Sequence, residues 1–277
     1  MISQKDIHTF EEKHRILLRT NEFICLLPHP NVREYISNYN ITFPTRDIIP
    51  NGFTAIPSGC ATISIENNNQ NLSVHLDGPG TKPYTYGSQV NQLNMIVTIE
   101  FKPAGLYALT GIPQSHLADQ SLSFEVIDLA LSKLLSDAIE KAGNIYELIN
   151  SLDTLLLENM YTTHCQQLMP ALQNIIACSG NISIQEVSDN IHYSQRQLNR
   201  IFKQHVGVSA KSFSRLLRIN KSFRLLKKAD YSIMFISDVM AFYDLSHFAR
   251  DFKSVCGVTP QEYRNNMSDF YINTSKF

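Results

Sequence analysis

Two stretches near the carboxyl end of the chain carry side chains suited to binding a nucleic acid. The outward-facing residues of the first stretch are Gln195, Arg196, Asn199, Arg200 and Lys203. In the major groove of DNA, Arg and Lys bond to guanine edges, whereas Asn and Gln bond to adenine edges. At about 100° per residue these side chains share one face of a helix, and Leu198, Ile201 and Phe202 form the opposite face. The spacing predicts an amphipathic helix that presents base-reading groups.

The second stretch follows at an offset of 50 residues and offers a weaker set. Its outward-facing residues are Ser246, His247, Arg250, Asp251, Lys253 and Ser254. Arg250 is the one obvious base reader here, while Asp251 would repel phosphate. Phe248 and Phe252 are predicted to point inward. The sequence therefore predicts two binding helices of unequal strength.

Each proposed contact also has an alternative interpretation. Arg200 and Arg250 occupy equivalent positions, so either could serve in a structural ion pair instead of contacting a base. Gln195 and Asn199 could be ordinary solvated residues. Lys203, like Lys253, is predicted to contact phosphate, which positions a protein on DNA without specifying sequence.

An internal repeat places both stretches in the same kind of structural unit. Residues 198–213 match residues 248–263 at an offset of 50, and residues 184–191 match residues 233–240 at an offset of 49. The matched pairs include Val187 with Ile236, Ser188 with Ser237, Arg200 with Arg250, Phe202 with Phe252, Lys203 with Lys253, and Gly207 with Gly257. The change of offset puts one extra residue in a turn of the second copy. Such self-similarity indicates a duplicated supersecondary unit.

Capping signals identify the unit as two short helices on a tight turn. Ser183 with Glu186 forms a capping-box pattern, Ser194 can cap a second helix, and Gly207 can end it. We therefore predict a first helix-turn-helix unit over residues 183–205 and a second over 233–255. The first unit and the second unit keep these names below.

A basic amphipathic helix is predicted between the units, over residues 211–228. Its 18 residues would span about 27 Å. Major-groove faces one turn apart are separated by about 34 Å. The helix can therefore space two recognition helices along a duplex, or it can simply pack the domain together.

Residues 181–264 resemble the DNA-binding domain of AraC-type transcription regulators. The strongest match is Phe242 to Arg264, FYDLSHFARDFKSVCGVTPQEYR. The resemblance implies seven helices, two helix-turn-helix units and a long linking helix. It places Arg196, Asn199 and Arg200 on the base-reading face of the first unit, and Ser246, His247 and Arg250 on that of the second. Departures from the family pattern are Ser188 and Ser237 in place of Ala, Ala241 in place of Gly, Ala210 in place of Pro, and Leu245 with Asp251 on the second recognition helix.

The first half of the chain has a different pattern. Residues 1–120 are predicted to be β-rich, with short strands near 61–65, 72–76 and 95–101 separated by Gly, Pro and Asn turn signals. Residues 123–160 are predicted to form two helices, broken at Gly143-Asn144. That helix pair can pack on its own barrel or form a dimer interface. The predicted fold class is α+β with two domains, 1–160 and 161–277.

Three segments of the first half resemble the cupin-like sensor domains attached to some AraC-type regulators. They are Leu27-Pro28-His29-Pro30, Ile56-Pro57-Ser58-Gly59-Cys60 and Ile99-Glu100-Phe101-Lys102-Pro103-Ala104-Gly105. The resemblance implies a β-sandwich or barrel that binds a small-molecule effector or mediates homodimerisation. Catalytic cupins hold a metal through clustered His and Glu, whereas His75 stands alone in its predicted strand. No metal or cofactor is therefore expected.

Charge divides the chain in the same way. The chain of 277 residues has a formal charge of -1. Up to Gly180 there are 10 basic and 17 acidic residues, a charge of -7, and after it 14 basic and 8 acidic, a charge of +6. Opposite charges indicate two modules with different partners, of which the basic one suits a polyanion. Chance clustering on a solvated surface is the alternative.

Other features exclude several classes of protein. A content of 43% apolar and 18% charged residues can build a folded core. No apolar run approaches the roughly 20 residues of a membrane span, and the polar amino terminus shows no signal peptide, so a cytoplasmic protein is expected. The cysteines, at positions 25, 60, 165, 178 and 256, form no C-x-x-C pair. Phosphate-loop, dinucleotide and G-x-S-x-G motifs are absent, which argues against an enzyme.

The sequence thus predicts a sequence-specific transcription regulator that binds double-stranded DNA, controlled by a ligand or by dimerisation. A DNA-repair enzyme with an appended double helix-turn-helix is the first rival, although it would need an activated Cys or a zinc site. An interaction module that has lost DNA binding is the second rival, which Asp251 supports.

Overall fold

A computed structural model describes residues 2–45, 54–68, 70–85, 87–161 and 167–265. It confirms the predicted fold class, with a β-rich amino-terminal region and a helical carboxyl-terminal region. The strands are β1 (Ile16–Arg19), β2 (Phe23–Leu26), β3 (Ile36–Thr42), β4 (Thr54–Ala55), β5 (Thr62–Asn67), β6 (Leu72–Asp77), β7 (Tyr84–Thr85), β8 (Met95–Phe101) and β9 (Ser121–Ser123). The three strands predicted from the sequence correspond to β5, β6 and β8. Cys165 and the end of the predicted second domain, beyond residue 265, lie outside the described residues.

Seven strands form one antiparallel sheet in the order β1-β2-β3-β8-β5-β6-β9, and β4 pairs with β7 in a separate ribbon. In the centre of the sheet Tyr39 opposes Ile99, which opposes Ile63 on its other side. All three are fully buried. Because successive residues of a strand point to opposite faces, the neighbours Asn40 and Thr98 face the other way, where they share a hydrogen bond of 3.0 Å. The sheet therefore has one apolar and one polar face.

The helices are α1 (Asp6–Thr9), α2 (Gly105–Thr110), α3 (Leu129–Lys141), α4 (Ile145–Glu158), α5 (Leu168–Ala177), α6 (Ile184–Asn190), α7 (Gln195–His205), α8 (Ala210–Leu226), α9 (Ile233–Val239), α10 (Leu245–Cys256) and α11 (Pro260–Asn265). A short 3-10 turn at Gln114–His116 lies in the connection between α2 and β9. The helices α5 to α11 make up the carboxyl-terminal region.

Helices α3 and α4 form the predicted pair and belong to the same core as the sheet. Leu135, Ile139, Leu148 and Leu152 are buried together with the apolar sheet residues. The pair therefore packs on its own β-rich region, which is the first of the two alternatives predicted from the sequence. Its outer surface leaves Leu129, Leu134, Tyr146 and Leu157 exposed. Dimerisation through this surface stays a prediction.

A buried ion pair fixes α4 to the first strands. The Arg15 guanidinium lies 2.7 Å from the Asp153 carboxylate. The same carboxylate accepts hydrogen bonds from the Tyr39 hydroxyl at 2.8 Å and from the His29 backbone N–H at 3.0 Å. Burial and the neighbouring carboxylate raise the pKa of Tyr39 well above its ordinary value. The pair is thus satisfied on both sides, as a buried charge requires.

Helix α8 joins two hydrophobic clusters in the carboxyl-terminal region. Phe213 and Leu217 belong to the cluster of α5, α6 and α7, whereas Leu216, Ile219 and Leu226 belong to the cluster of α9, α10 and α11. One amphipathic helix with two apolar stripes therefore supports both helix-turn-helix units. Within the described residues, no helix is long and apolar enough to cross a membrane.

Candidate nucleic-acid interface

The helices of both units begin with side-chain caps. In α6 the Ser183 hydroxyl accepts from Glu186 N at 3.1 Å, and the Glu186 carboxylate accepts from Ser183 N at 2.9 Å. Helix α7 repeats this box with Ser194 and Gln197. In the second unit α9 and α10 are capped by Ser232 and Asp244, neither of which has a reciprocal partner among the described residues. The caps explain why each short helix starts at these residues.

The turns of the two units differ by one residue. The Tyr193 N–H donates to the Ser188 carbonyl at 2.9 Å, and the Phe242 N–H donates to the Ser237 carbonyl at 3.0 Å. In the first unit the helix cap Ser194 directly follows Tyr193. In the second unit one residue separates Phe242 from the helix cap Asp244. The additional residue is Tyr243, which is 93% exposed. The offset change in the sequence is therefore an insertion at the tip of the second turn.

The same repeat fixes two further details of the turns. His192 has a φ of 56° and Ala241 a φ of 51°, so each turn contains one residue in the left-handed conformation. Ser188 and Ser237 are fully buried, and neither hydroxyl has a hydrogen-bond partner among the described residues. Alanine, which the family pattern has there, would avoid burying these polar groups.

Helix α7 presents the predicted cationic face to solvent. Arg196, Arg200 and Lys203 are exposed, while Leu198 and Phe202 on the other face are fully buried. Within the described residues the three cationic side chains make no ion pair and no hydrogen bond. The structural ion pair considered for Arg200 is therefore not seen in the described part of the chain.

The two amides of α7 already have partners inside the unit. Gln195 is exposed and its side-chain amide donates to Gln185 of α6. Asn199 is half-buried, and its side-chain carbonyl accepts from the backbone N–H of Ala210 at 3.3 Å. A contact of either amide with a base would have to share or replace these bonds.

Helix α10 presents a face with fewer free groups. Ser246 and Lys253 are exposed, and the Arg250 side chain bends back to the Ser246 carbonyl at 3.4 Å. His247 lies 3.5 Å from the Asp251 carboxylate on the next turn, an ion pair only when the imidazole is protonated. Among the described residues, this face therefore has fewer polar groups without a partner than the face of α7, and weaker DNA binding by the second unit stays a prediction.

The charge of Asp251 also acts on Arg218 of the linking helix α8. Burial lowers the pKa of the Arg218 guanidinium, and the Asp251 carboxylate acts against that lowering, which indicates that the two charges attract each other. The same guanidinium lies 4.6 Å from the centre of the Phe242 ring. Asp251 therefore faces two cationic groups, His247 on its own helix when the imidazole is protonated and Arg218 on the linking helix α8.

The start of α10 is apolar where the start of α7 is polar. Leu245 stands at the position equivalent to Gln195 and is 44% exposed, next to the exposed ring of Tyr243. From the sequence, Leu245 is predicted only as a departure from the family pattern, and Tyr243 is a candidate functional residue that the sequence reasoning missed. Two signals in the sequence could have identified this surface: the one-residue insertion in the turn and the apolar residue at the start of the helix.

The first unit is docked on the β-rich region through α2. The ring centre of Tyr107 lies 4.1 Å from that of His205, the last residue of α7. The Tyr107 hydroxyl accepts from the Gln204 side-chain amide at 3.2 Å. Just beyond α7, a Cβ added to Gly207 would lie 3.0 Å from the Gln114 carbonyl oxygen. These contacts are tight and join the two regions of the chain.

As a result, the exposed polar face of α7 lines a cleft between the two regions. The cleft has a volume of about 610 Å³. Pro113 and Ser115, which flank and form the 3-10 turn, line one side. The residues of α7 that line it are Arg196, Asn199, Arg200, Lys203 and Gln204. The second unit and α8 also approach the β-rich region, through Gly257 near Pro83 and through a bond from Asn220 to the Pro57 carbonyl of 3.0 Å.

Comparison with known proteins agrees with this geometry. Residues 187–266 match a family described as a helix-turn-helix domain. The protein carries an AraC-type DNA-binding domain. Residues 25–123 match a domain family of unknown function, which is compatible with the cupin-like resemblance of the β-rich region.

The AraC-type domain is shared with curated regulators. The chain is similar to the transcriptional regulator ArgR of Pseudomonas aeruginosa, with 29% identity over 50% of this chain and 46% of that protein. It is also similar to the arabinose operon regulatory protein of Escherichia coli, with 29% identity over 42% of this chain and 43% of that protein. The chain spans about half the length of the curated relatives it matches. Among solved structures, ToxT of Vibrio cholerae aligns over 79% of this chain and 95% of its own, with a TM-score of 0.42 and 16% identity.

Proposed function

We propose that the protein is a sequence-specific DNA-binding regulator of transcription. This proposal rests on one face of α7, where Arg196, Arg200 and Lys203 are exposed and have no partner among the described residues. Three cationic side chains on one helix face, backed by a buried apolar face, match what a major groove accepts. A protein with this function would work in the cytoplasm, where its DNA target is found.

The residues have separate roles in this proposal. Arg196 and Arg200 read base edges in the first unit, with Gln195 and Asn199 as further candidates. Lys203 binds phosphate. In the second unit Arg250 is the base reader, with Ser246 and His247 beside it and Lys253 on phosphate. The 17 residues of α8, which span about 26 Å, support a spacing of the two recognition helices that suits successive major grooves.

Control follows from the docked arrangement of the first unit. A duplex that receives α7 must have access to the side of the helix that Pro113 and Ser115 now face across the cleft. The β-rich region therefore limits DNA binding in the docked state, and a small-molecule effector or a homodimer contact shifts the balance towards release. Such a shift needs only a difference in affinity between the two states.

A salt titration tests the proposal. Preferred duplexes are first selected from a random pool with the full chain, and the affinity for the best sequence is then measured at increasing salt concentration. Each phosphate contact contributes about 0.9 to the negative slope of log affinity against log salt. Lys203→Ala should make that slope shallower by about 1, whereas the matched variant Lys133→Ala, on the exposed surface of α3, should not change it.

The outcomes separate the rival functions. Selection of a defined sequence together with a steep salt slope supports the regulator. Binding that is steep in salt but equal for all sequences fits a general DNA-binding module of a repair enzyme. An absence of binding at low salt would favour an interaction module and would refute the proposal.

A further inference from the structure

A cavity of about 380 Å³ opens on the polar face of the seven-stranded sheet. This volume lies within the range of small-molecule sites, which is roughly 300–1,000 Å³. The floor includes Ser64 and Glu66 of β5 and His75 and Asp77 of β6. The walls come from the segment that follows the ribbon of β4 and β7. The cavity is separate from the nucleic-acid interface.

Strand register explains why polar groups gather on this floor. Ser64 lies opposite His75, and Asp77 lies opposite Thr62. Because alternate residues share a face, these side chains all point away from the apolar core to which Ile63 belongs. The alternation of apolar and polar residues along β5 and β6 therefore builds the floor.

The cavity carries an excess of negative charge. Glu66 and Asp77 supply two carboxylates, and no Lys or Arg is among the described residues that line it. His75 is the one lining group in the described part that can become a cation, and its Nε2 lies 3.8 Å from the Glu66 carboxylate. No group of three His, Cys, Asp or Glu residues in the described ranges is arranged to hold a metal ion.

Two further observations indicate that polar groups here lack a partner. Ser64 is 7% exposed and lines the cavity, yet its hydroxyl makes no hydrogen bond with any described residue. Burial raises the pKa of Glu66, against the opposing effect of His75, and Asp77 raises it further. A hydroxyl that opens on the cavity and a poorly compensated carboxylate can both accept hydrogen bonds from a ligand that supplies donors.

The wall adds apolar and aromatic surface. The exposed ring of Tyr84 faces the cavity together with the side chains of Val90 and Leu93. An aromatic face attracts cations as well as apolar groups. A carboxylate floor beside such a wall suits a ligand with a positive group at one end and an apolar body at the other.

We propose that this cavity binds a small organic cation, which the carboxylates of Glu66 and Asp77 attract from opposite ends of the floor, with its apolar body against Tyr84, Val90 and Leu93. Anions are repelled by the two carboxylates, and neutral molecules leave them uncompensated. The role of this ligand as the effector rests on the proposed regulatory function, whereas its binding does not.

The test compares three probes of the same size on the full chain, without DNA. Isothermal titration calorimetry is carried out with 2-phenylethylammonium, with the neutral 2-phenylethanol and with the anionic phenylacetate. The ammonium probe should bind with a dissociation constant of about 1 mM or lower, as expected for so few atoms. The alcohol should bind at least about 10-fold more weakly, which corresponds to 1.4 kcal/mol, and phenylacetate should not bind.

Variants place the site. Glu66→Gln and Asp77→Asn should each weaken the ammonium probe at least several-fold, while Glu140→Gln, on the exposed side of α3, should leave it unchanged. Circular dichroism checks that each variant is folded. Any of three results would overturn the proposal. The alcohol and the ammonium probe could bind equally well, the ammonium probe could bind equally well to both carboxylate variants and to the unchanged protein, or the ammonium probe could fail to bind. None of these results depends on whether the chain binds DNA.

Discussion

The two helix-turn-helix units share a backbone and differ in surface. Both have a left-handed residue in the turn, at His192 and at Ala241, and both bury a serine at the helix contact. On the outside, α7 carries three cationic side chains that have no partner among the described residues, whereas α10 begins with Leu245 after a turn that contains the inserted Tyr243. Buried positions have thus kept the unit intact while the outward positions took on different chemistry.

The units also differ in how they meet the β-rich region. The recognition helix of the first unit is held at its end by Tyr107, and its polar face lines a cleft. The second unit approaches that region at Gly257, just beyond its recognition helix. The unit with the more cationic recognition helix is therefore the one whose polar face lines the cleft beside the β-rich region. This difference predicts a division of labour between regulated reading and constant anchoring.

The largest expected effect concerns the equivalent arginines. Arg200→Ala should weaken binding to the selected duplex by about 1–3 kcal/mol and relax the preference at one base pair. Arg250→Ala should cost less than about 1 kcal/mol, because its side chain is already bonded to the Ser246 carbonyl. Fluorescence anisotropy with the selected duplex and its single-base variants measures both. Equal losses on every sequence would reduce Arg200 to a phosphate contact and remove the contrast.

Release of the docked unit should have the next largest effect. Tyr107→Ala removes both the ring contact with His205 and the hydrogen bond from Gln204. If docking restrains α7, the affinity for the selected duplex should rise about 3–10-fold, since the open state becomes more populated. Tyr146→Ala, which removes an exposed tyrosine from α4, is the matched control. Unchanged or weaker binding by a folded Tyr107→Ala protein would show that docking does not limit access.

Much of the nucleic-acid interface follows from the sequence, because periodicity alone assigns faces. The pattern of Leu198, Ile201 and Phe202 determines which side of α7 is buried, and the change of repeat offset locates the insertion in the second turn. Docking could not be derived in this way. Tyr107 and His205 are 98 residues apart in the chain, and no local pattern records a contact between them. The polar cavity was also missed, since register across β5 and β6 brings Glu66 and His75 together.

Apolar readout by the second unit should give a smaller effect. Leu245, exposed at the first turn of α10, can contact the methyl group of a thymine in the major groove. Replacing that thymine by deoxyuridine removes one methyl group and should cost about 0.8 kcal/mol, or roughly 3–4-fold in affinity. Leu245→Ala should abolish this discrimination, whereas Gln195→Ala should preserve it. If no thymine in the selected duplex is sensitive to the replacement, the second unit does not read in this way.

Backbone strain in the turns should give a still smaller effect. Ala241 holds a left-handed conformation that glycine adopts without a steric cost, although glycine loses more entropy on folding. Ala241→Gly should therefore stabilise the protein by about 0.5 kcal/mol, and His192→Gly should do the same in the first unit. Thermal unfolding measures both changes. A gain in one unit and a loss in the other would show that the turns are not equivalent.

The smallest expected difference lies in the caps of the first helix of each unit. Hydrogen bonds from Ser183 lower the pKa of Glu186. The capping box therefore stabilises α6 fully at pH values above the ordinary pKa of a glutamate, and this stabilisation is lost as the pH falls through the lowered pKa. Helix α9 starts at Ser232 with Phe235 in place of the glutamate, so its cap should not change over that range. Nuclear magnetic resonance of the Ser183 and Ser232 amides during an acid titration separates the two. Glu186→Gln keeps the bonding pattern without a titratable group and should remove the pH response at Ser183. A response that survives this substitution would have to come from another carboxylate, and the caps would then not distinguish the units.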